Sequence, residues 1–281
     1  MSMTLPEYTP AQESLFLTLG SRALDSRLAR PFLGDAMADQ IIATTGYGLD
    51  KFPQLTTKLI DGRSKVFDVA VRAKILDGMV RRFVLRRPDA VVLDLGAGLD
   101  GRISRVNPPR TVEWYDVDFP EVVELRRQLL SASANAHNVG ADLTGPEWLK
   151  GIPRDRPAMI VADGLVPFLS QDDFVSLLNR LTNHLANGEL ALNGYTTYAM
   201  WTFKHSRAMR AIAGGMANPG FNDPRQLERW VDGLRLADEV FLTRTPEVAE
   251  LPLIGRVTSR LVARSATASR IMRTMVLRYR F

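Results

Sequence analysis

The sequence predicts an α/β protein built on a doubly wound, mainly parallel, Rossmann-like sheet, with an N-terminal helical cap and an antiparallel C-terminal strand pair. Three observations lead there. From Arg87-Pro88-Asp89 onward, apolar runs of strand length alternate with segments of helical periodicity, the pattern of a parallel sheet with crossover helices. A glycine turn, Gly96-Ala97-Gly98, follows the first of those runs directly. Before Arg87 the apolar spacing is helical only.

Thr9-Pro10-Ala11-Gln12 offers an N-cap, a proline at the first helical position and a capping-box glutamine. Leu15, Leu19, Leu24 and Leu28 then form an apolar stripe that ends before Pro31. Asp35 to Thr45 reads as a second helix and Tyr47 to Pro53 as a loop. Ser64 is placed to cap a third helix, which carries Phe67, Val71, Ile75, Met79 and Phe83 at helical spacing. Residues 1–86 are therefore a helical cap. Residues 87–281 form the alternating domain. Ala90 to Leu95 is an apolar run broken only by Asp94, as expected of a strand buried on both faces. Thr111 to Val117, Asn135 to Ala141, Ala158 to Ala162 and Glu189 to Tyr195 read as further strands. Helices are expected over Pro120 to Leu130, Gln171 to Leu185 and Asp223 to Ala237. Residues 197–222 interrupt the alternation as an insertion. Val240 to Thr245 and Thr274 to Phe281 read as the closing antiparallel pair.

The chain has 281 residues, 46% hydrophobic and 24% charged, a globular composition with enough length to bury a core unaided. The absence of cysteine rules out disulfides, thiolate metal sites and cysteine nucleophiles. Met1 to Pro10 shows neither a basic n-region nor an apolar h-region. No apolar run approaches the ~18 residues of a spanning helix. A cytoplasmic protein with no membrane partner is expected. The net charge is +5, and residues Gly255 to Phe281 hold seven arginines and no acid. That segment is either a solvated helix face with a surface strand, or a contact for an anionic partner.

In an open parallel sheet, ligands bind at the carboxyl ends of the strands near the topological switch. Gly96 and Gly98 let a ligand approach the backbone there. Their spacing admits two cofactors, because Gly96, Gly98 and Gly101 also fit the dinucleotide fingerprint. Asp116 or Asp118, about 20 residues on, suits ribose hydroxyls in either case. Three features favour S-adenosylmethionine over a nicotinamide dinucleotide. Asp94 precedes the glycines, where it can reach a methionine ammonium but would repel a pyrophosphate. Ala141-Asp142-Leu143 follows the third strand, where an acid can accept from an adenine amino group. A long segment precedes the motif, whereas dinucleotide domains often begin with it.

The chain resembles the leucine carboxyl methyltransferase superfamily, in its bacterial polyketide O-methyltransferase branch of the tetracenomycin type. The residues that carry the likeness are Val91 to Asp100 with Arg102, Trp114 to Val122 and Leu125-Arg126-Arg127. Ala141-Asp142-Leu143, Ala162-Asp163-Gly164, Phe168-Leu169, Val71-Arg72-Ala73 with Asp77, and Arg278 to Phe281 continue it. The resemblance implies a class I methyltransferase fold using S-adenosyl-L-methionine and releasing S-adenosyl-L-homocysteine. It implies that Arg72 binds the methionine carboxylate and that Gly96 and Gly98 lie along the methionine portion. Asp118 would take the ribose, with Asp116 close by, and Asp142 and Leu143 the adenine. Asp163 would stand near the ammonium, where the family usually has glutamate. Gly101 and Phe168 replace the more usual threonine and tyrosine, and Lys51 or Lys58 would supply the family's N-terminal lysine.

The reaction expected is an in-line displacement that relies on alignment and desolvation, with no metal. The acceptor is expected to be an oxygen, a carboxylate in the first instance, of a small acidic or aromatic, polyketide-like metabolite. A carboxylate needs no base at neutral pH, whereas a phenol would gain from one. His205, in the insertion, is the candidate base ahead of His137 and His184. Tyr195, Tyr198, Trp201, Phe203 and Met209 either line an acceptor pocket or pack a core. Two alternatives remain: methylation of a protein's C-terminal carboxylate, and a non-catalytic nucleic-acid-binding module using the arginine-rich C-terminus. Intact acids at successive strand ends speak against the second. Oligomeric state is not legible.

Overall fold

A computed structural model describes residues 7–130 and 134–281. Residues 1–6, part of the segment inspected for a leader, lie outside the described residues. The helices are α1 (Pro10–Ser26), α2 (Ala36–Thr45), α3 (Pro53–Thr56), α4 (Gly62–Arg86), α5 (Arg102–Val106), α6 (Pro120–Leu129), α7 (Gln171–His184), α8 (Thr197–His205), α9 (Arg210–Ala213), α10 (Gln226–Trp230), α11 (Leu253–Val262) and α12 (Ala266–Met272). The strands are β1 (Val91–Leu95), β2 (Glu113–Asp118), β3 (Ala136–Gly140), β4 (Ala158–Ala162), β5 (Gly188–Gly194), β6 (Arg235–Phe241) and β7 (Met275–Arg280). The chain divides into two units, each drawn from separate segments. One comprises Met1–Lys74, Tyr195–Met216 and Val240–Met275, and the other Ile75–Gly194, Ala217–Glu239 and Val276–Phe281.

The second unit holds the sheet, in the order β3-β2-β1-β4-β5-β7-β6. β1 pairs in parallel with β2 and β4, β2 with β3, and β4 with β5. The order runs outward from β1 to β3 on one side and restarts at β4 on the other. The switch point, where α/β sheets bind ligands, is therefore the β1–β4 boundary. Gly188 and Phe281 exchange both backbone hydrogen bonds, at 3.1 and 3.2 Å, the mark of an antiparallel pair. β7 thus runs against the parallel strands, as the closing pair of the sequence reading requires. β1 and β4 are buried along their whole length, which explains their unbroken apolar character. The exception is Asp94, an acid that is 1% exposed in the middle of β1.

The first unit is mainly helical among its described residues. The Thr9–Gln12 capping box forms as expected. Leu15, Phe16 and Leu19 are buried, and the ring of Phe16 stacks on Tyr47 at 3.7 Å. The Asp25 carboxylate accepts from the backbone N–H groups of Phe32, Leu33 and Gly34 at 2.8–3.0 Å, which fixes the connection between α1 and α2. Asp35 caps α2.

Several local expectations need correction. Ser64 is not the cap of α4: the Asp61 carboxylate accepts from the N–H groups of Arg63 and Ser64, and the helix begins at Gly62. The helix expected over Asp223 to Ala237 is only α10: Val231 is already extended at φ −132°, Gly233 takes φ +82°, and the chain becomes β6 at Arg235. β6 accordingly lies several residues earlier than Val240 to Thr245. The loop over Tyr47 to Pro53 contains a turn of 3-10 helix at Leu49–Lys51. Among the described residues no helix is long and apolar enough to cross a membrane.

Candidate functional site

The chain leaves β1 through a turn in which Gly96 has φ +65° and Gly98 φ +51°. Side-chain-bearing residues rarely adopt that region. A Cβ on Gly96 would also press on Leu165 at 3.2 Å. The Gly96 N–H donates to the Val117 carbonyl at 2.8 Å, so the turn is tied to the end of β2. The Gly98 N–H donates to Asp118 Oδ2 at 2.7 Å, and the Phe119 N–H donates to Oδ1 at 2.7 Å. Each Asp118 oxygen thus has one backbone donor and a further lone pair to offer. Burial pushes the Asp118 carboxyl above the usual carboxylate range, while the two backbone bonds pull the other way.

The sequence left Asp116 and Asp118 as alternatives for the ribose, and the geometry separates them. Asp116 is 4% exposed. It accepts from the Trp114 indole N–H at 2.9 Å and pairs with Arg126, so both oxygens are committed to the interior. Asp118 stands beside the glycine turn. Past β3, which pairs Gly140 with Asp118, Asp142 is exposed and accepts from the Thr144 N–H at 2.9 Å. Leu143 is buried, and its carbonyl accepts from Arg180 at 2.6 Å.

Beneath the turn lies a buried ionic cluster. Arg102, 1% exposed, donates to Asp77 at 2.8 Å, to both oxygens of Asp94 at 3.0 and 2.9 Å, and to Asp163 at 2.9 Å. It pairs with Asp100 at 3.3 Å. Arg105 holds Asp77 and Asp100, each at 2.7 Å. Four carboxylates, from α4, β1, the glycine turn and the end of β4, thus meet on these two guanidiniums. Burial pushes the Asp94 carboxyl up, and the Arg102 charge opposes that shift. Asp94 and Asp163, the residues expected at a methionine ammonium, thus meet on one guanidinium.

Arg126 is a second buried hub, 3% exposed. Besides Asp116, it donates to the carbonyls of Gly98 at 2.7 Å and Asp100 at 3.0 Å, and more weakly to Ala97 at 3.4 Å. Sequence reasoning gave roles to neither Arg102 nor Arg126. A signal was present for Arg126: it lies four residues after Val122 on the buried face of α6, among Val123 and Leu125, where an unpaired arginine would be costly.

The remaining candidates belong to the helical unit. Arg72 is 3% exposed, and its Nη1 donates to Tyr195 Oη at 3.1 Å. His205 is exposed at the end of α8, with its ring against Trp201 and its Nδ1 2.8 Å from the Trp201 carbonyl. Trp201 and Tyr198 are each 59% exposed, whereas Phe203 packs edge-on against Tyr195 at 5.1 Å. Met209 receives Gln54 Nε2 at 3.9 Å. Lys51 pairs with Glu13 at 2.8 Å, and Lys58 is exposed. In the sheet unit, His137 pairs with Glu113 and His184 lies 2.9 Å from the Ile152 carbonyl. The C-terminal arginines divide. Arg273 pairs with Asp68, and Arg278 with Asp238 and Glu189, while Arg260 and Arg264 are exposed.

The donor set fits a cationic nucleoside. A carboxylate with lone pairs to spare suits a ribose diol, and a cluster of buried carboxylates suits a positive charge. Comparison with known proteins agrees. The family model for leucine carboxyl methyltransferase matches residues 16–182. The tetracenomycin polyketide synthesis O-methyltransferase TcmP of Streptomyces glaucescens is 38% identical over 242 residues, covering 86% of this chain and 87% of that protein. The S-adenosyl-L-methionine-dependent methyltransferase dpfgK of Gibberella zeae is 31% identical, covering 83% of each. Among solved structures, a Thermobifida fusca chain provisionally classed as a methyltransferase aligns with TM-score 0.52 at 20% identity, over 92% of this chain and 93% of that one. Its likeness bears on fold alone.

Proposed function

The chain belongs to the leucine carboxyl methyltransferase family and is an S-adenosylmethionine-dependent methyltransferase; from that premise we propose that it methylates an oxygen of a small, acidic, polyketide-like metabolite, forming a methyl ester. The observation that carries the reading is Asp118, held by Gly98 and Phe119 beside the glycine turn at the switch point of the sheet. The similarity to the tetracenomycin O-methyltransferase supports oxygen as the acceptor and a polyketide as the substrate class.

In this reading Asp118 receives the ribose hydroxyls. Gly96 and Gly98 face the methionine portion, and Asp142 and Leu143 face the adenine. Asp116 supports the site through Arg126. Asp94 and Asp163, joined through Arg102, set a negative potential that favours the ligand's ammonium and sulfonium. When bound, S-adenosylmethionine supplies an electrophilic methyl. The protein's own work is to align the acceptor and exclude water. A carboxylate acceptor is already ionised at neutral pH, so no side chain need remove a proton, in keeping with the exposed position of His205.

The experiment is methyl transfer from labelled S-adenosylmethionine to a panel of aromatic polyketide acids, their decarboxylated phenols and peptides ending in a free carboxylate. Base-labile label on the acids alone supports the proposal. Base-stable label on phenols would replace it with ether formation, and label on peptides with protein carboxyl methylation.

A further inference from the structure

We infer that Arg126 is a positioning residue for the cofactor, acting through the Ala97–Gly98 peptide on Asp118. The inference rests on the assignment of Asp118 to the ribose.

One peptide unit joins the two side chains. At one end, the Ala97 carbonyl faces Arg126 Nη1 at 3.4 Å, and at the other the Gly98 N–H donates to Asp118 at 2.7 Å. The same Nη1 holds the next peptide by the Gly98 carbonyl at 2.7 Å, and a third by the Asp100 carbonyl at 3.0 Å. Three carbonyls are thus gathered on one nitrogen. That arrangement turns the Gly98 N–H toward β2, and it is reached while both glycines have positive φ. Arg126 is itself fixed: Nη2 pairs with Asp116 and Nε donates to Asn138 Oδ1 at 3.2 Å. All three of its nitrogens are engaged and its side chain is buried, so its part is played within the protein. Its consequence for the ligand is the direction of the Asp118 carboxylate.

A lysine would retain the charge beside Asp116, but its compact ammonium cannot span Asp116, Asn138 and three carbonyls in one plane. Arg126→Lys should therefore fold yet leave the turn less constrained. The result should be a specific loss of ribose recognition rather than a general loss of binding.

The test measures dissociation constants of S-adenosylhomocysteine and its 2′-deoxy analogue by calorimetry for wild type, Arg126→Lys, Arg126→Gln and Asp116→Asn. Hydrogen bonds from hydroxyls to a charged acceptor should give the wild type a preference for the ribose form of about tenfold or more. The inference expects that preference to fall to within about threefold in the folded Arg126 variants, with binding of the deoxy analogue nearly unchanged. A merely structural arginine would lower the melting temperature and leave the preference intact, which overturns the inference. Should both Arg126 variants fail to fold, Asp116→Asn decides by the same ratio, since it frees Arg126 from its anchor. Wild type that binds homocysteine product without ribose preference refutes the Asp118 assignment. Wild type that binds neither ligand refutes the proposed function and the inference with it.

Discussion

Replacing Arg102 by methionine should destabilise the protein severely at neutral pH and much less in mild acid. The substitution keeps most of the aliphatic volume and removes the charge. Asp77 and Asp100 retain Arg105, each at 2.7 Å. Asp94 loses the nitrogen that both of its oxygens share, and it is 1% exposed. Removing one partner of a buried ion pair costs ~3–5 kcal/mol. The alternative open to Asp94 is to take a proton, which for a carboxyl of ordinary pKa near 4 costs ~4 kcal/mol at pH 7 and ~1.4 kcal/mol at pH 5. Both routes give a loss of ~4 kcal/mol at pH 7, a large share of the 5–15 kcal/mol typical of a folded chain. In the variant the folded-state pKa of Asp94 lies above its unfolded value. The resulting stability is therefore present in acid and lost as pH rises through the folded pKa. Urea denaturation followed by tryptophan fluorescence should show the midpoint falling by roughly 1–2 M at pH 7.5, with most of that gap closed at pH 5. Asp94→Asn added to Arg102→Met should recover about half of the loss or more, because it removes the uncompensated carboxylate. A variant within about 1 kcal/mol of wild type at pH 7.5, or a penalty that does not shrink in acid, would refute the reasoning.

Asp118→Asn should fold normally and bind S-adenosylhomocysteine about tenfold or more weakly, by calorimetry. Because burial raises the Asp118 carboxyl above its usual range, wild-type affinity should fall as pH is lowered through that raised pKa and the acceptor becomes protonated; the asparagine variant should give a flatter profile. Gly98→Ala forces a Cβ onto a residue at φ +51° and should cost ~1–2 kcal/mol in stability, with loss of cofactor binding. His205→Ala should retain methyl transfer to a carboxylic acid, and a drop of a hundredfold in kcat, the size of a lost general base, would restore His205 as a catalytic residue.

What was legible in the sequence was local. β1 reads as a buried strand because five successive residues, Val91 to Leu95, sit in the centre of the sheet. Its glycine turn and Asp118 follow from spacing along adjacent strands. The Asp223 to Ala237 error shows the limit of periodicity. Leu227, Val231 and Leu234 fall at helical spacing and are all fully buried, so the pattern reports burial correctly. The backbone does not follow the pattern: Val231 is already extended, and Gly233 at positive φ turns the chain toward β6. In α11 the same pattern is inverted: Leu253, Ile254, Val257 and Leu261 are exposed at 45–80%, and no arithmetic on the sequence distinguishes a stripe that faces a core from one that faces solvent.

The ionic cluster was hidden for a different reason. An acid in an apolar strand and an aspartate at the next strand end each suggest a ligand when read alone. Their shared partner, Arg102, is separated from Asp163 by 61 residues, and only folding brings them together. A buried carboxylate needs a compensating charge in the apo protein, before any cationic ligand arrives. Arg102 and Arg105 meet that need, with Asp77, Asp94, Asp100 and Asp163 converging on the pair. In the proposed reading, carboxylates gathered in this way favour the positively charged substrate form of the ligand over its less positive product.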